Sequence, residues 1–490
     1  MDHDSSLPPI WIVGFTGHRR LRQPDKVGAL LRELLVSLSA EIPGQLVGHS
    51  SIAIGGDTLF AEACLASDMP WIALLPFAEG DFKSDFSDTD WDKARQLLQR
   101  AARVESLVGT KDRNVGYLEC GLATVEEADL MIAVWDEEPS RGTGGTADVV
   151  AHARNFGKPL ILLHPDRLTI QRERFASDSF SDPEMEYLNR LPDRTIPAVA
   201  SGTETEQRVR RFFAKVDAQA ARIAPRFRRW VAASVIMNAI AAILTAGAIG
   251  FGIQSHLLDA VIFILIAAAM VSIIQIKRKH AHRNWIRCRV AAEICRSALA
   301  TWNLGHVAAP IWFTQLGDFG RLAKSIRLLQ MRSGDQSRMD LAECRSEYLT
   351  TRVDDQIEYF RRRSRRLATA LFIFTCSFWI FSAAAVARTI FMALVDAPQS
   401  DHLIADALQS FLPIALPLAA GCALALISIF DLNRQLASSK AMEAALQTAR
   451  RQIEKCESFS SLRRAIENTE NAFAGEFFEW FTLFRFPRFN

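Results

Sequence analysis

Hydrophobic and polar positions follow two different patterns along the chain. Between residues 10 and 165, short apolar runs alternate with amphipathic stretches. The apolar runs predict strands at Ile10–Phe15, Ser51–Ile54, Trp71–Leu75, Leu130–Trp135 and Leu160–Leu163. The amphipathic stretches predict helices near residues 25–40, 57–67, 90–101, 116–128 and 146–156. Strands that alternate with helices favour an α/β fold with a parallel sheet and helices on both of its faces.

Beyond residue 206 the pattern changes to long apolar segments. They fall at about residues 230–252, 257–276, 367–392 and 411–430, each near the roughly 20 residues that a membrane-spanning helix requires. Buried core helices are the alternative interpretation. The flanks favour the membrane, so we expect an all-α membrane domain with four transmembrane helices and long cytosolic helices.

Basic residues flank each pair of apolar segments on one side only. They cluster at 226–229, 277–279 and 361–366, whereas the hairpin loops 253–256 and 393–410 contain no Lys or Arg. By the positive-inside rule, both hairpin loops face outward and both termini are cytoplasmic. The sequence therefore predicts a multi-pass protein of the inner (cytoplasmic) membrane.

Charge and cysteine usage narrow the function classes. The net charge is +2, but the first 200 residues are acidic by about 11 charges and the remainder is basic by about 13. A basic region beside membrane segments usually faces anionic lipid, so the lipid bilayer is an expected partner and direct nucleic-acid binding is not expected. The eight cysteines form no CxxC pair, and no His/Cys cluster has zinc spacing, so no metal site is predicted.

These patterns divide the chain into five segments. Residues 1–165 form the α/β domain, 166–206 a connector, 207–305 the first membrane hairpin with cytosolic helices, 306–344 a cytosolic connector, and 345–490 the second hairpin with a helical tail. Apolar residues at spacings of three and four follow each hairpin, as at Trp285, Cys288 and Ala292, and at Met442, Leu446, Ala449 and Ile453. Such a seam packs against another helix, either in the same chain or in a second subunit.

Glycine-rich loops directly follow three of the predicted strands. In a parallel sheet these loops gather at the carboxyl edge, where ligands bind, and helix amino-termini there supply N–H donors to phosphate. Thr16, Asp57 and Thr146 occupy predicted N-cap positions of helices. The alternative is that these residues only form turns or lie on the surface. The candidate nucleotide-binding residues are Gly14, Thr16, Gly17, His18, Arg19, Gly55, Gly56, Asp57, Arg113, Trp135, Asp136, Gly142, Thr143, Gly144, Gly145 and Thr146.

Several of these motifs together resemble the SLOG superfamily, the Rossmann-like fold of the lonely-guy and DprA-like proteins. The resemblance covers about 160 residues. It rests on the GFTGHR opening at 14–19, the Gly55-Gly56-Asp57 turn, Ala133-Val134-Trp135-Asp136, and the closing residues 142–147 with Gly157-Lys158-Pro159. It implies a nucleotide-binding domain of α/β Rossmann-like fold.

The lonely-guy enzymes cleave a base from a nucleotide with a motif whose final Glu is catalytic. Aligning that motif on Gly145-Thr146 puts Val149 at the position of the Glu, and Asp148 is turned away by about 100° on a helix. No catalytic residue is therefore assigned, and binding without turnover is expected. A membrane-tethered nucleotide or nucleoside hydrolase remains the enzymatic alternative.

A second resemblance concerns the membrane region. Tyr348 to Gln356, with Tyr359-Phe360, stands before a hairpin and is similar to SLATT domains, the SLOG-associating two-helix effectors of prokaryotic conflict systems. The tail Glu467-Asn468-Thr469-Glu470 with Glu476 and Trp480 is also similar, and Trp285 to Glu293 is a weaker likeness. Proteins that join these parts sense a nucleotide signal during phage infection and then damage the membrane.

The two resemblances together imply a nucleotide-sensing effector that disrupts the membrane or forms a pore in antiphage defence. The ligand types that they imply are an ADP-ribose-like molecule or a cyclic nucleotide, with no other cofactor. They also imply a homo-oligomer and a signal-producing enzyme encoded nearby. A non-catalytic membrane scaffold is the third alternative, and it would have no nucleotide affinity.

Overall fold

The structure is a computed structural model of the 490-residue chain. It describes residues 5–107, 112–139, 144–193, 202–278, 281–304, 319–332, 340–394 and 406–485. These residues divide into two compact units. The first contains residues 1–190, 197–212 and 314–336, and the second contains 191–196, 213–313 and 337–490.

The strands all belong to the first unit. They are β1 (Ile10–Gly17), β2 (Gln45–Ser50), β3 (Trp71–Leu75), β4 (Arg103–Ser106), β5 (Leu130–Val134), β6 (Leu160–Leu163) and β7 (Ile170–Glu173).

Among the described residues before 190, seven α-helices lie between these strands or, in the case of the last, after them. They are α1 (Pro24–Glu41), α2 (Gly56–Ala66), α3 (Glu79–Phe82), α4 (Asp88–Leu98), α5 (Arg113–Glu127), α6 (Thr146–Asn155) and α7 (Pro183–Asn189).

The helices of the second half are longer. They are α8 (Glu204–Gly250), α9 (His256–Arg278), α10 (Ala281–Ala300), α11 (Gly320–Arg332), α12 (Leu341–Tyr348), α13 (Asp355–Leu394), α14 (Leu412–Ile429), α15 (Leu432–Glu454) and α16 (Phe459–Arg485). Two π-helical segments, Leu349–Asp354 and Ala407–Phe411, precede α13 and α14.

The seven strands form one sheet in the order β4-β3-β2-β1-β5-β6-β7. All neighbours are parallel except the edge strand β7, which is antiparallel to β6. The strand order reverses between β1 and β5, where Val13 pairs with Leu130 and Gly17 with Val134. In open α/β sheets such a reversal opens a crevice at the carboxyl ends of the two strands.

Strand β5 shows why these runs are continuously apolar. Leu130, Ile132 and Val134 are buried on the face that carries α1 and α2. Met131 and Ala133 are buried on the opposite face, against α5 and α6. A parallel strand that is covered on both faces needs an apolar side chain at every position.

Helix α11 packs on the sheet although it follows the first hairpin in sequence. Leu328 is 3% exposed and lies in a cluster with Ile10 and Val47 of β1 and β2. The Ser325 hydroxyl donates to the carbonyl of Pro8 at 2.9 Å. The segment 306–344, which we interpreted as a connector, therefore contains a structural element of the first unit.

Arg321 of α11 lies against two adjacent strands of the same sheet. Its guanidinium is 3.6 Å from the ring centroid of Trp11 in β1, and it pairs at 3.1 Å with Asp129, which directly precedes β5. A second carboxylate, that of Asp182, lies 3.6 Å away. Two carboxylates thus compensate the charge of Arg321 at the end of the sheet where β1 and β5 begin.

The predicted α/β sheet followed by an all-helical membrane region is confirmed, but two details were wrong. The second strand is Gln45–Ser50, and residues 51–55 form the loop after it rather than the strand Ser51–Ile54. The short strands β4 and β7 were not predicted. Strand β4 lacks an apolar run, because three of its four residues, Arg103, Glu105 and Ser106, are polar.

The predicted N-caps were also wrong. Thr16 lies inside β1. Helix α2 is capped by Gly55 and α6 by Gly145, so Asp57 and Thr146 lie within the first turns of these helices. At α2 and α6 the boundary is shifted by one or two residues, because the cap depends on backbone dihedrals. Thr16 is no cap, because β1 continues to Gly17 and the next helix begins only at Pro24.

In the second unit, four helices are long and apolar enough to cross a membrane. Their most apolar parts include Ala233–Gly250 and His256–Ile274, and the other two lie in the continuous helical stretches Leu341–Leu394 and Ala407–Glu454. The seam residues pack within the chain, since Met442, Leu446 and Ile453 share a cluster with Tyr348 and Val353. The seam after the second hairpin is therefore an intramolecular contact.

We predict that Leu328→Ala destabilises the first unit by about 2–5 kcal/mol, because it leaves a cavity between α11 and the sheet. The urea concentration at which the buried thiol of Cys64 becomes reactive should fall. Lys324→Ala is the control on the same helix, because it removes a 3.8 Å ion pair with the Glu127 carboxylate and an exposed 3.3 Å hydrogen bond to the Glu127 carbonyl, and it should cost less than about 1 kcal/mol. An equal effect of the two substitutions would contradict this role of Leu328.

Candidate functional site at the carboxyl edge of the sheet

The loops that follow β1 and β5 meet at the reversal of strand order. The His18 N–H donates to the carbonyl of Val134 at 3.2 Å, which continues the pairing of the two strands by one residue. The His18 Nε2 lies 2.8 Å from Oδ1 of Asp136. Two predicted site residues are thus brought together although 118 positions separate them.

Asp136 is held as a carboxylate. Burial raises the pKa of Asp136, but hydrogen bonds from the Glu138 N–H and from His18 outweigh it, so the pKa lies below its ordinary value. The Asp136 N–H also lies 3.2 Å from His18 Nε2. We assign the Nε2 proton to the shorter contact with the carboxylate, which makes His18 the donor. The crevice therefore contains a fixed negative charge.

Glycines allow two loops of this edge to touch through their backbones. A Cβ on Gly17 would lie 3.2 Å from the Cα of Gly56, and a Cβ on Gly55 would lie 2.4 Å from the carbonyl oxygen of Arg19. Gly55 also has a φ of +95°, which favours glycine. The Gly56 N–H donates to the carbonyl of His18 at 2.9 Å. These three glycines thus have a packing reason in addition to their predicted ligand contact.

Asp57 is buried directly behind this contact. Its side chain accepts a hydrogen bond from the Ala53 N–H at 3.3 Å, and the residue is 8% exposed. Burial raises the pKa of Asp57 to about 7, although the Ala53 hydrogen bond and the charge of Arg19 lower it. Asp57 therefore changes charge near neutral pH.

A line of side chains leads from Arg19 toward the segment after β3. The guanidinium of Arg19 lies 4.5 Å from the ring centroid of Tyr117, whose hydroxyl donates to Asp85. Asp85 also pairs with Arg113, and Arg113 lies 4.9 Å from the ring centroid of Phe77. Burial, and next the Asp85 carboxylate, raise the pKa of Tyr117 to about 12. Arg113 is thus engaged in ordering loops, while Arg19 is exposed.

The amino-terminus of α6 carries its own carboxylate. The Gly144 N–H donates to Oδ2 of Asp148 at 2.9 Å. Gly144 has a φ of +85°, and a Cβ there would lie 2.8 Å from the backbone nitrogen of Leu118. The loop before α6 therefore packs closely on α5. By helix geometry, the N–H groups of Thr146 and Ala147 at the start of the first turn have no partner within the helix, whereas the Asp148 N–H donates to the Gly145 carbonyl at 3.0 Å.

The remaining predicted site residues have separate positions. Gly14 is buried inside β1, where a Cβ would lie 2.4 Å from the sulfur of Met131, so it allows close packing. The indole N–H of Trp135 donates to the carbonyl of Glu138 at 2.8 Å, which orders the loop after β5. Gly142 and Thr143 lie outside the described residues.

The residue at the catalytic position of the lonely-guy motif faces the core. Val149 is 2% exposed and belongs to the apolar cluster between α5, α6 and the sheet. Its side chain fills the space beside Gly121, where an added Cβ would lie 2.5 Å from a methyl carbon of Val149. The side chain of Val149 is therefore part of the core.

Sequence reasoning missed Tyr117 and Asp85. Tyr117 lies one turn after Arg113 in α5, which is a spacing that places both side chains on one face. That spacing could have indicated Tyr117 from the sequence. No sequence pattern indicated Asp85, because it lies in an acidic surface stretch whose carboxylates look alike in sequence. Among the described residues, no group of three or more His, Cys, Asp or Glu side chains is arranged to hold a metal ion.

The fold and this edge define a class: an α/β domain with a Rossmann-like strand order, joined to a membrane region of four apolar helices. Residues 211–319 match the SLATT_3 family model, described as "SMODS and SLOG-associating 2TM effector domain 3". The match covers the first hairpin, so a SLATT region is confirmed there, whereas we had placed the clearer resemblance at 345–490. The comparison with curated proteins gives no match. The SLOG resemblance of residues 1–165 stays a prediction.

We predict that Asp57 makes the first unit less stable as pH rises. The unfolded chain releases this proton near pH 4 and the folded chain near pH 7, so the folded state binds the additional proton between these values. The free energy of unfolding should fall by about 4 kcal/mol from about pH 4 to about pH 7 and then level off.

Hydrogen exchange of the β1 and β2 amides across this pH range would measure the effect in the full chain. Asp57→Asn should remove the dependence and be the more stable protein at neutral pH. Asp92→Asn, at an exposed site on α4, should keep the parent's pH profile. A parent profile that does not change over this range would refute the assignment.

Proposed function

We propose that this protein is a nucleotide-sensing membrane effector of antiphage defence. The crevice at β1 and β5 binds a nucleotide-derived signal, and binding controls a membrane region that disrupts the bilayer or forms a pore. The observation that carries the proposal is the His18–Asp136 pair at the reversal of strand order, in a chain whose residues 211–319 match an effector domain.

The chemistry of the crevice favours a ribose-containing ligand. In a Rossmann fold a carboxylate after the second strand accepts a hydrogen bond from a ribose hydroxyl, and Asp136 presents the same kind of acceptor at the same edge, after β5. Asp136 has the required charge, and His18 fixes its orientation at 2.8 Å. The exposed guanidinium of Arg19 lies on the same edge and is suited to a phosphate. A ligand with both groups, such as an ADP-ribose-like molecule or a cyclic nucleotide, matches this pair.

Binding without hydrolysis is the version that the geometry supports. In the motif alignment, Val149 stands at the position of the catalytic Glu of the lonely-guy enzymes. The side chain of Val149 is buried in the core. The preceding residue, Asp148, has a carboxylate, but this carboxylate accepts a hydrogen bond from the Gly144 N–H. Release of free base from a nucleotide by the purified chain would contradict this part of the proposal.

The proposal includes partners and location. Several chains assemble in the inner membrane, and an enzyme encoded nearby makes the signal. Both termini are cytoplasmic, since the basic clusters flank the hairpins on the side away from loops 253–256 and 393–410. These statements rest on charge pattern and resemblance and remain predictions.

Orientation is testable with one engineered cysteine. Ser400→Cys lies in the second hairpin loop, outside the described residues. We expect a membrane-impermeant thiol reagent to label it from the outer side of intact spheroplasts. Labelling only after the cytoplasm is opened would show that the orientation is reversed.

The binding site is testable with a matched pair of variants in one loop. Asp136→Ala removes the crevice carboxylate, whereas Glu138→Ala removes an equal charge two residues away without removing the N–H that Asp136 accepts from. For ADP-ribose or a cyclic dinucleotide that binds the full chain in calorimetry, Asp136→Ala should weaken binding about ten- to a hundredfold. Glu138→Ala should bind as the parent does.

Two results would contradict the site. Equal affinity of the parent and Asp136→Ala would place the ligand elsewhere. No affinity for any nucleotide would instead favour the non-catalytic scaffold.

A further inference from the structure

The second unit contains a buried charged network with Arg352 at its centre. The side chain of Arg352 is 2% exposed. It pairs with Glu470 of α16 at 2.9 Å and with Glu293 of α10 at 3.2 Å. The Tyr348 hydroxyl donates to the same Glu470 at 2.8 Å. The guanidinium of Arg352 also stacks on Phe473, 4.3 Å from the ring centroid.

These contacts join parts of the chain that are far apart in sequence. Glu293 lies on the helix that follows the first hairpin, and Arg352 lies before the second hairpin. Glu470 belongs to the helical tail, 118 positions beyond Arg352. One side chain therefore connects both hairpins and the tail. Charged groups in such a place are costly to bury unless all of them are paired.

The backbone at Arg352 is also unusual. The residue lies in the π-helical segment Leu349–Asp354, between α12 and α13. A π-helical turn holds one residue more than the α-helix would, and such turns occur mostly at functional sites. Return to an α-helix would rotate the helix before this turn by about 100° relative to the helix after it. The Nη1 of Arg352 has no hydrogen-bond partner among the described residues, so the network is not fully satisfied.

A second contact joins the hairpins at their other end. A Cβ on Gly250 of α8 would lie 2.9 Å from the backbone nitrogen of Phe411, in the other π-helical segment, Ala407–Phe411. Arg388 of α13 donates to the carbonyl of Leu408 in that segment at 2.6 Å. These two contacts, both among the described residues, thus each combine a π-helical turn with an arginine.

We propose that the Arg352–Glu470–Glu293 network is a latch that holds the two hairpins in a closed arrangement, and that effector activation opens it. The latch is bistable, because loss of one partner leaves a buried charge uncompensated and drives the helices apart. This inference rests on the effector role proposed above, but its test needs no ligand.

The test uses thiols that the chain already has. Cys344 and Cys456 are buried in the cluster around Tyr348, and Cys64 is buried in the sheet unit. In the full chain reconstituted in vesicles, Arg352→Met and Glu470→Gln should make Cys344 and Cys456 react at least about tenfold faster. Cys64 should stay protected, which shows that the first unit is still folded. The same two variants should release trapped dye without any added ligand.

Two controls separate a latch from general damage. Arg362→Met makes the same change at an exposed arginine that pairs with Glu358 on its own helix, and it should behave as the parent. The triple variant Tyr348→Phe/Arg352→Met/Glu470→Met removes all three polar groups together, while Glu293 keeps Arg296 at 2.5 Å. Because the positive charge of Arg352 and the negative charge of Glu470 are removed together, no buried charge is left without a partner. This variant should therefore stay closed, with protected thiols and no dye release.

The inference is overturned if Cys344 and Cys456 stay protected in both single variants, if they react without dye release, or if the triple variant opens as readily as Arg352→Met. Failure of the nucleotide-sensing proposal would be recognised separately, because it is judged by ligand affinity, which this experiment does not use.

Discussion

The adjacent strands β1 and β5 carry a charged contact at each end, and the account of this protein depends on that arrangement. At the carboxyl end, His18 of the loop after β1 pairs with Asp136 of the loop after β5. At the amino end, Arg321 of α11 lies on Trp11 of β1 and pairs with Asp129 before β5. Between these ends, β5 is buried throughout and β1 is buried from Ile10 to Phe15. The two strands pair over five residues, so they form a stiff connection.

In sequence, the first hairpin is inserted between two parts of the first unit. The first unit is built from residues before the hairpin, up to 212, and from residues after it, 314–336. Arg208 of α8 donates to the carbonyl of Ser6 at 2.8 Å, and α11 packs on β1 and β2. The segment that matches the effector family model, residues 211–319, therefore has both its first and its last residues in the unit that contains the crevice.

The sequence predicted the parts whose cause is local. Apolar runs located most strands, and the lengths of the apolar segments and their basic flanks located the four membrane helices. Strand β2 was misplaced because Gln45–Ser50 contains His49 and Ser50, whereas the loop after it contains Ile52 and Ile54. The polar strand β4 and the return of helix α11 to the sheet depend on contacts between residues that are far apart in sequence, so no local pattern reveals them.

The same limit applies to the candidate site and to the latch. Turn glycines and packing glycines look alike in sequence, so only the structure shows that Gly14 packs on Met131. Arg352 stands in a charged, polar stretch that is typical of a solvated face. Its burial depends on Glu293 and Glu470, which lie 59 and 118 positions away. His18 and Asp136 were predicted because each follows a strand, and strand order alone brings them together.

The central claim is that occupation of the crevice controls the membrane region. The most direct test is dye release from liposomes that contain the full chain, recorded while a nucleotide of measured affinity is added. The account predicts that release rises with the same concentration dependence as binding and is lost in Asp136→Ala. Tight binding of a nucleotide to the crevice without any change in release would contradict it.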